Sequence, residues 1–325
     1  MLVLLFSCSQ EYEYDYETQN QPSIEPSSEV EVDEDGDGFP HWSTTSNQER
    51  ADCDDQDPLI TPATERWIPE GEFWRGDDEA PLAGPMRRIL VRNFCIDRFE
   101  VSNDQYADFM NEMLLVGYEN QDEEGNLLYD FDDNDDVYDP TIEETDNGYR
   151  AVAGRGQHPV TEVWYEGATR FCEARGKVLP TEAQWEKSAR GTDQRRYPWG
   201  DTDPNCMLAN FGTPQSRCEG DTMPVGSYPE GASPYGIMDM AGNVSEWVYD
   251  YYQDGYYLES ADEDPVGPSS GYFEDETGQG FEARIARSGN HSTEEGAMQV
   301  FHRTPEPATG SSNGLGFRCV REIVP

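Results

Sequence analysis

Basic side chains are scarce in this sequence: 22 lysines and arginines stand against 67 aspartates and glutamates, a formal charge of -45 over 325 residues. No Lys/Arg cluster reverses that sign locally, so phosphate backbones and anionic lipid are repelled, and nucleic acid is excluded as a partner. Long apolar runs are missing too. No stretch after the first residues approaches the roughly 18 apolar residues that a membrane-spanning helix requires. CxxC pairs are also lacking, which removes the common structural zinc pattern. What remains is an acidic chain suited to solubility and to hard divalent cations, calcium before softer metals, because carboxylates are hard ligands. Seven cysteines, at 8, 53, 95, 172, 206, 218 and 319, are spread as disulfide partners usually are, so an oxidising compartment is expected. Their odd number leaves one over.

The start of the chain suggests which. Leu5-Phe6-Ser7-Cys8 follows an apolar run and resembles a bacterial lipobox with Cys8 as the lipidated residue, so residues 1–8 read as a lipoprotein signal. Met1–Phe6 has no basic region and too short an apolar core, which points to a truncated or misassigned start. Residues 9–32 are rich in Glu, Ser, Gln and Pro with little to bury, and read as a disordered acidic tether.

Residues 33–66 change texture. Asp33, Asp35 and Asp37 alternate with Gly36 and Gly38, an arrangement that curls the backbone and offers several oxygens to one calcium, and Asp52, Asp54, Asp55 and Asp57 are placed to complete the shell. The segment resembles the short Asp-rich metal-binding motif DxDGDG…DCDDxDPxxxP of bacterial surface proteins. The bland alternative is a solvated acidic linker.

From about Met86 the chain reads as globular. Alternating apolar residues in RRILVRNFCID signal a strand, and Ser102 or Asn103 caps a helix with Tyr106, Phe109, Met110 and Met113 on one face. Residues 117–150 are acidic and read as a solvated surface insertion. A second helix carries Trp164, Ala168, Phe171, Cys172 and Arg175 as a stripe and stops at Gly176. Thr181 and Gln184 form a capping box for a third helix, Thr181–Arg190, which packs Ala183, Trp185 and Ala189 and ends at Gly191. Cys206 and Cys218 flank a short loop that a local disulfide can close. A Gly/Pro/aromatic-rich stretch leads to a strand from about Val244, and ARIARSG and LGFRCVRE read as closing strands.

Five stretches in order, FCIDRFEVSNDQYADFMN, HPVTEVWYEGATRFCEARGKVLPTEAQWEKSARG, YPWGD, PYGIMDMAGNVSEW and RIARSG…HRTPEP…GLGFRCVRE, resemble the formylglycine-generating enzyme (sulfatase-modifying factor) family over about residues 86–322. The resemblance implies an α+β fold related to C-type lectins, with little regular secondary structure, short strands, about three helices and structural calcium. It implies calcium ligands at Asp239, Gly242, Val244 and Glu246, with a second site beginning at Asn210 and the Phe211 carbonyl, for which Asp221 is out of register. The alternative for DMAGNVSEW is a tight turn with Glu246 paired to an arginine. The resemblance also implies a Cys172–Cys319 disulfide. Cys53 and Cys95 complete the cysteines expected in disulfides, their pairing left open.

Oxidising members of the family use two cysteines that bind copper(I). The corresponding stretch here, residues 288–307, contains no cysteine, so copper is not expected. His291, His302 and Arg303 are the remaining weak catalytic candidates, and surface or satisfied histidines are the commoner case. The reading that results is a cell-envelope or extracellular protein, lipid-anchored at Cys8, whose calcium-stabilised domain binds a protein or glycan partner without oxidising cysteine. Two alternatives stand beside it: a family enzyme with a non-cysteine site converging on Arg287, Asn290, His302 and Arg303, and a purely structural calcium module.

Overall fold

In a computed structural model, the described residues are 33–37, 39–43, 51–54, 56–131, 140–213, 215–275 and 277–322. The signal with Cys8, the tether at 9–32 and Asp55 lie outside them. In chain order the elements are β1 (Glu65–Ile68), β2 (Gly71–Arg75), β3 (Arg87–Val91), β4 (Phe94–Asp97), α1 (Asn103–Leu115), β5 (Ile142–Thr145), β6 (Gly148–Ala151), α2 (Tyr165–Ala174) and α3 (Glu182–Arg190). They continue with β7 (Ser245–Tyr251), β8 (Tyr272–Glu274), β9 (Gly280–Arg287), β10 (Thr304–Pro307), β11 (Leu315–Phe317) and β12 (Val320–Glu322). The fold is α+β with short strands, and long irregular connections join them.

Reciprocal capping starts two of the helices. Ser102 Oγ accepts from Gln105 N at 3.4 Å while Gln105 Oε1 accepts from Ser102 N at 2.9 Å. Thr181 and Gln184 repeat the exchange at 3.1 and 2.8 Å, satisfying amides that the first turn of α3 leaves open. Helix α2 starts at Trp164 without a side-chain cap, and Gly176, at φ 65°, follows its last turn.

Two sheets organise the strands. One has the order β1-β4-β12, all antiparallel, and the other β10-β9-β7-β11, in which β11 runs parallel to β7 and β8 adds to β9. Hairpins β2–β3 and β5–β6 stand beside them. The stretch read as one strand after Met86 is thus two, with different partners. The residues before Met86 supply β1 and β2, so the body of the domain takes in sequence that alternation alone did not claim.

The core has two main parts. Tyr106, Phe109, Phe171 and Phe317 meet where α1, α2 and β11 pack, and Phe73, Phe94, Trp185, Val248 and Ile285 gather around α3. The approach of α2 to the chain at Leu128 requires Gly167, because a Cβ there would lie 2.0 Å from the Leu128 carbonyl oxygen.

Part of 117–150 is core rather than a solvated insertion. Leu128 and Tyr129 are 0 % exposed, and Ile142 and Tyr149 join the same cluster. Hydrogen bonds explain the ordering: Tyr106 Oη donates to Leu128 O at 2.8 Å, and Tyr129 Oη accepts from Thr141 N and Ile142 N at 3.0 and 3.1 Å. Apolar residues too sparse to make a periodic pattern are held by two tyrosine hydroxyls, Tyr106 from α1 and Tyr129 within the segment.

Three disulfides join Cys53 to Cys95, Cys172 to Cys319 and Cys206 to Cys218. The second ties α2 to the residue just before β12, across 147 residues of sequence.

Candidate functional site

The stretch 288–307 leaves β9 through Ser288 and Gly289, both at positive φ, passes a short turn at Glu295–Met298 and enters β10. Of the candidates, Arg303 and the Arg287 that precedes the stretch meet at Glu182, while Asn290 has partners in its own loop. Arg287 and Arg303, 1 % and 2 % exposed, turn into the core beneath α3. His291 is 1 % exposed; its backbone N–H donates to Asn243 O at 2.9 Å, its ring lies 3.3 Å from Asn313 O, and burial pushes its pKa down. His302 lies 3.3 Å from Thr304 Oγ1, and burial together with the Arg287 charge pushes it down to about 4. Asn290 folds onto its own loop, its side-chain oxygen accepting from Ser292 N and Oγ at 2.9 Å each. Among the described residues, neither histidine belongs to any set of three metal-ligating side chains.

The arginines have a shared partner in α3. Glu182, 0 % exposed, accepts four hydrogen bonds: from Arg303 Nε at 2.7 Å and Nη2 at 3.0 Å, from Arg75 Nη2 at 2.6 Å, and from Arg287 Nη1 at 3.0 Å. Burial pushes the Glu182 carboxyl up, and Arg303, Arg75 and Arg287 outweigh this to hold it at about 2. One turn on, Glu186 accepts from Gly76 N, Arg190 Nη1 and Arg287 Nη2 at 2.7, 2.9 and 3.0 Å. Lys187 donates to the carbonyls of Pro69, Gly71 and Val91, and burial pushes its pKa down to about 8. The helix that reads as a three-residue apolar stripe is therefore buried on its charged faces as well. The available signal was the crowding of Glu182, Glu186, Lys187 and Arg190 on so short an element; nothing in it named distant arginines as partners.

A second knot forms around the turn before β7. Asp239, Gly242 and Asn243 all have positive φ, and Gly242 has no room for a Cβ, which would stand 2.4 Å from Asn210 O. Glu246 Oε1 accepts from Arg318 Nη2 at 2.7 Å, and its Oε2 from Arg318 Nε and Trp185 Nε1 at 2.8 Å each. Asp239 Oδ2 accepts from Gly226 N at 2.6 Å. Glu100, not among the residues the sequence singled out, accepts from Asn243 Nδ2 at 2.7 Å and Val244 N at 3.2 Å. Burial first, then Asp239 and Glu246, push Glu100 well above the usual carboxylate range; burial pushes Asp239 up to about 6.

The donors around this turn are oxygens, the type a hard cation takes. Three carboxylates are buried here, of which Glu246 alone pairs with Arg318, and Asn210 Oδ1 is a buried acceptor without a hydrogen-bond partner, which suits calcium in charge and donor type. Individual expected ligands have other partners. Glu246 is engaged by Arg318 and Trp185, the Gly242 carbonyl accepts from Ser288 Oγ at 3.2 Å, and the Phe211 carbonyl accepts from Cys218 N at 2.9 Å. Asp221 pairs with Arg155 instead of reaching Asn210 with its carboxylate, while its backbone carbonyl accepts from Asn210 Nδ2 at 2.8 Å. Among the described residues, Glu100, Asp239 and Glu246 do not bring their carboxylate oxygens within 4.8 Å of one another as a set, and both Glu100 oxygens accept from Asn243 and Val244.

The aspartates of the N-terminal motif divide. Asp33, Asp35 and Asp37 bring their carboxylates together within 4.8 Å, and Asp52 is fully buried next to Cys53. Asp54 Oδ2 lies 3.8 Å from Arg321, and Asp57 Oδ1 accepts from Leu59 N at 3.0 Å in a separate turn. A cleft of about 790 Å³ opens beside that turn, its walls including Glu65, Asp97, Glu100, Asp104, Asp108 and Lys177.

The pattern of the sulfatase-modifying factor enzyme 1-like domain matches residues 51–323. The chain belongs to that family. It is 31 % identical over 292 residues to the formylglycine-generating enzyme of Streptomyces coelicolor, a match covering 78 % of this chain and 88 % of that enzyme. It is 33 % identical over 270 residues to the serine/threonine-protein kinase pkn1 of Chlamydia caviae, covering 82 % of this chain but 39 % of the length of that relative. Among solved structures, PvdO from Pseudomonas aeruginosa aligns with a TM-score of 0.58 at 20 % identity, over 80 % of this chain and 94 % of PvdO. Treponema denticola variable protein 1 gives 0.56 at 20 % identity, over 79 % and 94 %. Both likenesses are of fold. Within this formylglycine-generating-enzyme-like domain, every described cysteine is in a disulfide, and 288–307 has none.

Proposed function

We propose that this family member is a calcium-stabilised binding or accessory module that does not oxidise cysteine, acting in the bacterial cell envelope or outside the cell on a protein or glycan partner, with Cys8 as its lipid anchor. The observation that carries the reading is the cysteine-free stretch 288–307, whose Arg303, with Arg287 just before the stretch, is turned into the core by Glu182. Soft copper(I) is best served by thiolates, and among the described residues neither His291 nor His302 belongs to a set of three ligating side chains. The buried Asp239 carboxylate and the partnerless Asn210 Oδ1 support calcium as the resident ion, and the open acidic cleft supports a binding role. Metal analysis of purified protein after exposure to copper(I) and calcium tests it. The expected result is calcium retained and copper removed by a gel-filtration step; copper retained at one ion per chain would overturn the reading.

A further inference from the structure

The cleft beside the Asp57 turn is separate from the stretch 288–307, which lends no residue to its walls. At about 790 Å³ it is within the roughly 300–1,000 Å³ of ligand sites. Three cations reach it, and each is already committed. Lys177 Nζ lies 2.6 Å from Glu65 Oε1 and also pairs with Asp97, Arg321 Nη2 lies 3.3 Å from the same Glu65 oxygen, and Arg175 holds the two oxygens of Glu112 at 2.6 and 3.1 Å. The floor made by Lys177, Arg321, Glu65 and Asp97 therefore balances itself and neutralises nothing around it. The walls also carry Asp57, Asp104 and Asp108, and among the described residues none of the three is in an ion pair. Asp57 accepts from Leu59 N at 3.0 Å and Asp104 from Gln157 Nε2 at 3.1 Å, both neutral donors. Asp104 and Asp108 are exposed on one face of α1, four positions apart, where like charges oppose each other. Apolar surface lies beside them: Leu59 is 79 % exposed, and Phe99 and Val225 are partly exposed in the same walls.

We propose that this cleft docks a basic, partly apolar peptide segment of a partner protein, with Asp57, Asp104 and Asp108 receiving lysine or arginine heads and Leu59, Phe99 and Val225 receiving apolar side chains. Long cationic side chains suit such walls, because their alkyl stems bury against apolar groups while the charged heads stay at the wet rim. Charge selects the occupant. A second copy of this chain, at -45, is repelled, and so are the chain's own residues 9–32, which contain no lysine or arginine. A neutral glycan would cover the apolar wall and leave three carboxylates without counter-charge. A basic segment answers both, and the acidic rim steers it in at low salt. The floor is held rigid for this role: Asp97 Oδ2 accepts from Cys319 N at 3.0 Å, next to the disulfide that joins Cys319 to Cys172 of α2.

The assignment rests on the binding-module reading and narrows its partner to a protein. Fluorescence polarisation of labelled hexapeptides against the full chain, in calcium at low salt, tests it with three probes: alternating lysine and leucine, alternating lysine and glycine, and alternating glutamate and leucine. The lysine–leucine peptide is expected to bind about five-fold or more tightly than the lysine–glycine peptide, and the glutamate–leucine peptide not at all. Asp104→Asn with Asp108→Asn should weaken lysine–leucine binding about five-fold or more, and Leu59→Ser by a similar factor. Glu219→Gln with Glu259→Gln removes the same charge from exposed positions outside the cleft and should leave binding within about two-fold. Absence of lysine–leucine binding, equal binding of the lysine–glycine peptide, or an equal loss in the Glu219/Glu259 pair would overturn the site, the last by showing attraction to the whole acidic chain. If the Asp104/Asp108 pair does not fold, Asp108→Asn with Leu59→Ser decides the outcome. Failed peptide binding with copper still rejected would sink the cleft alone; copper retained would sink the non-oxidase reading and leave the peptide result standing.

Discussion

Replacing Glu182 with glutamine should be among the most damaging single-atom changes in this chain. The carboxylate accepts four charge-assisted hydrogen bonds from Arg75, Arg287 and Arg303, and none of these residues is more than 2 % exposed. Glutamine keeps one acceptor oxygen and turns an NH₂ donor toward guanidinium donors, so two such bonds are lost. At about 1.5–3 kcal/mol for each hydrogen bond to a charged group, that is about 3–6 kcal/mol. Removing one partner from a buried ion pair costs about 3–5 kcal/mol by a separate route, so we expect about 4 kcal/mol, a large share of a typical stability of about 5–15. Urea unfolding followed by tryptophan fluorescence, with disulfides intact and calcium in excess, measures it. The pH dependence adds a check. The Glu182 carboxyl is held near 2 in the folded chain against an ordinary 4.5, so its contribution is complete above 4.5 and disappears as pH falls toward 2. Wild type and Glu182→Gln should therefore differ by a constant amount from neutral pH down to about 5 and converge below that. A difference under about 1 kcal/mol at neutral pH would refute the argument that this carboxylate organises the buried arginines.

Two further outcomes follow from the same structure. The Cys172–Cys319 bridge closes 147 residues, for which loop-closure entropy gives about 5 kcal/mol, so the double serine variant should show a strongly lowered urea midpoint, and a midpoint within error of wild type would contradict that estimate. His302 is held at about 4, below its ordinary 6.5, by burial and then by Arg287. Its contribution is complete above 6.5 and is lost as pH falls toward 4, so His302→Gln should flatten the decline in thermal midpoint between those values, and an unaltered slope would show that His302 is not held neutral.

Local signals in the sequence were legible where the physics is local. The capping boxes at Ser102 and Thr181, the stop at Gly176 and the short Cys206–Cys218 loop each depend on residues within a dozen positions of one another. The family could be read because five such local patterns occur in order. The partners of buried charges could not. Glu182 and Arg303 are 121 positions apart, Glu246 and Arg318 are 72 apart, and no periodicity records which arginine faces which carboxylate. The same limit made Leu128 and Tyr129 look like part of a solvated stretch, since their burial is set by α1 and α2. It also grouped the Asp-rich motif as one shell, when backbone pairing at Pro40 and Trp42 brings Asp52 to the loop and leaves Asp57 in a separate turn.

The central claim, a formylglycine-generating-enzyme-like domain without cysteine oxidation, is tested most directly by incubating the full chain with a CxPxR peptide, copper(I) and oxygen, and reading the peptide by mass spectrometry. The Streptomyces coelicolor enzyme serves as the positive control. The peptide thiol is expected to be recovered unchanged with this chain while the control converts it. Catalytic appearance of the aldehyde with this chain would contradict the account.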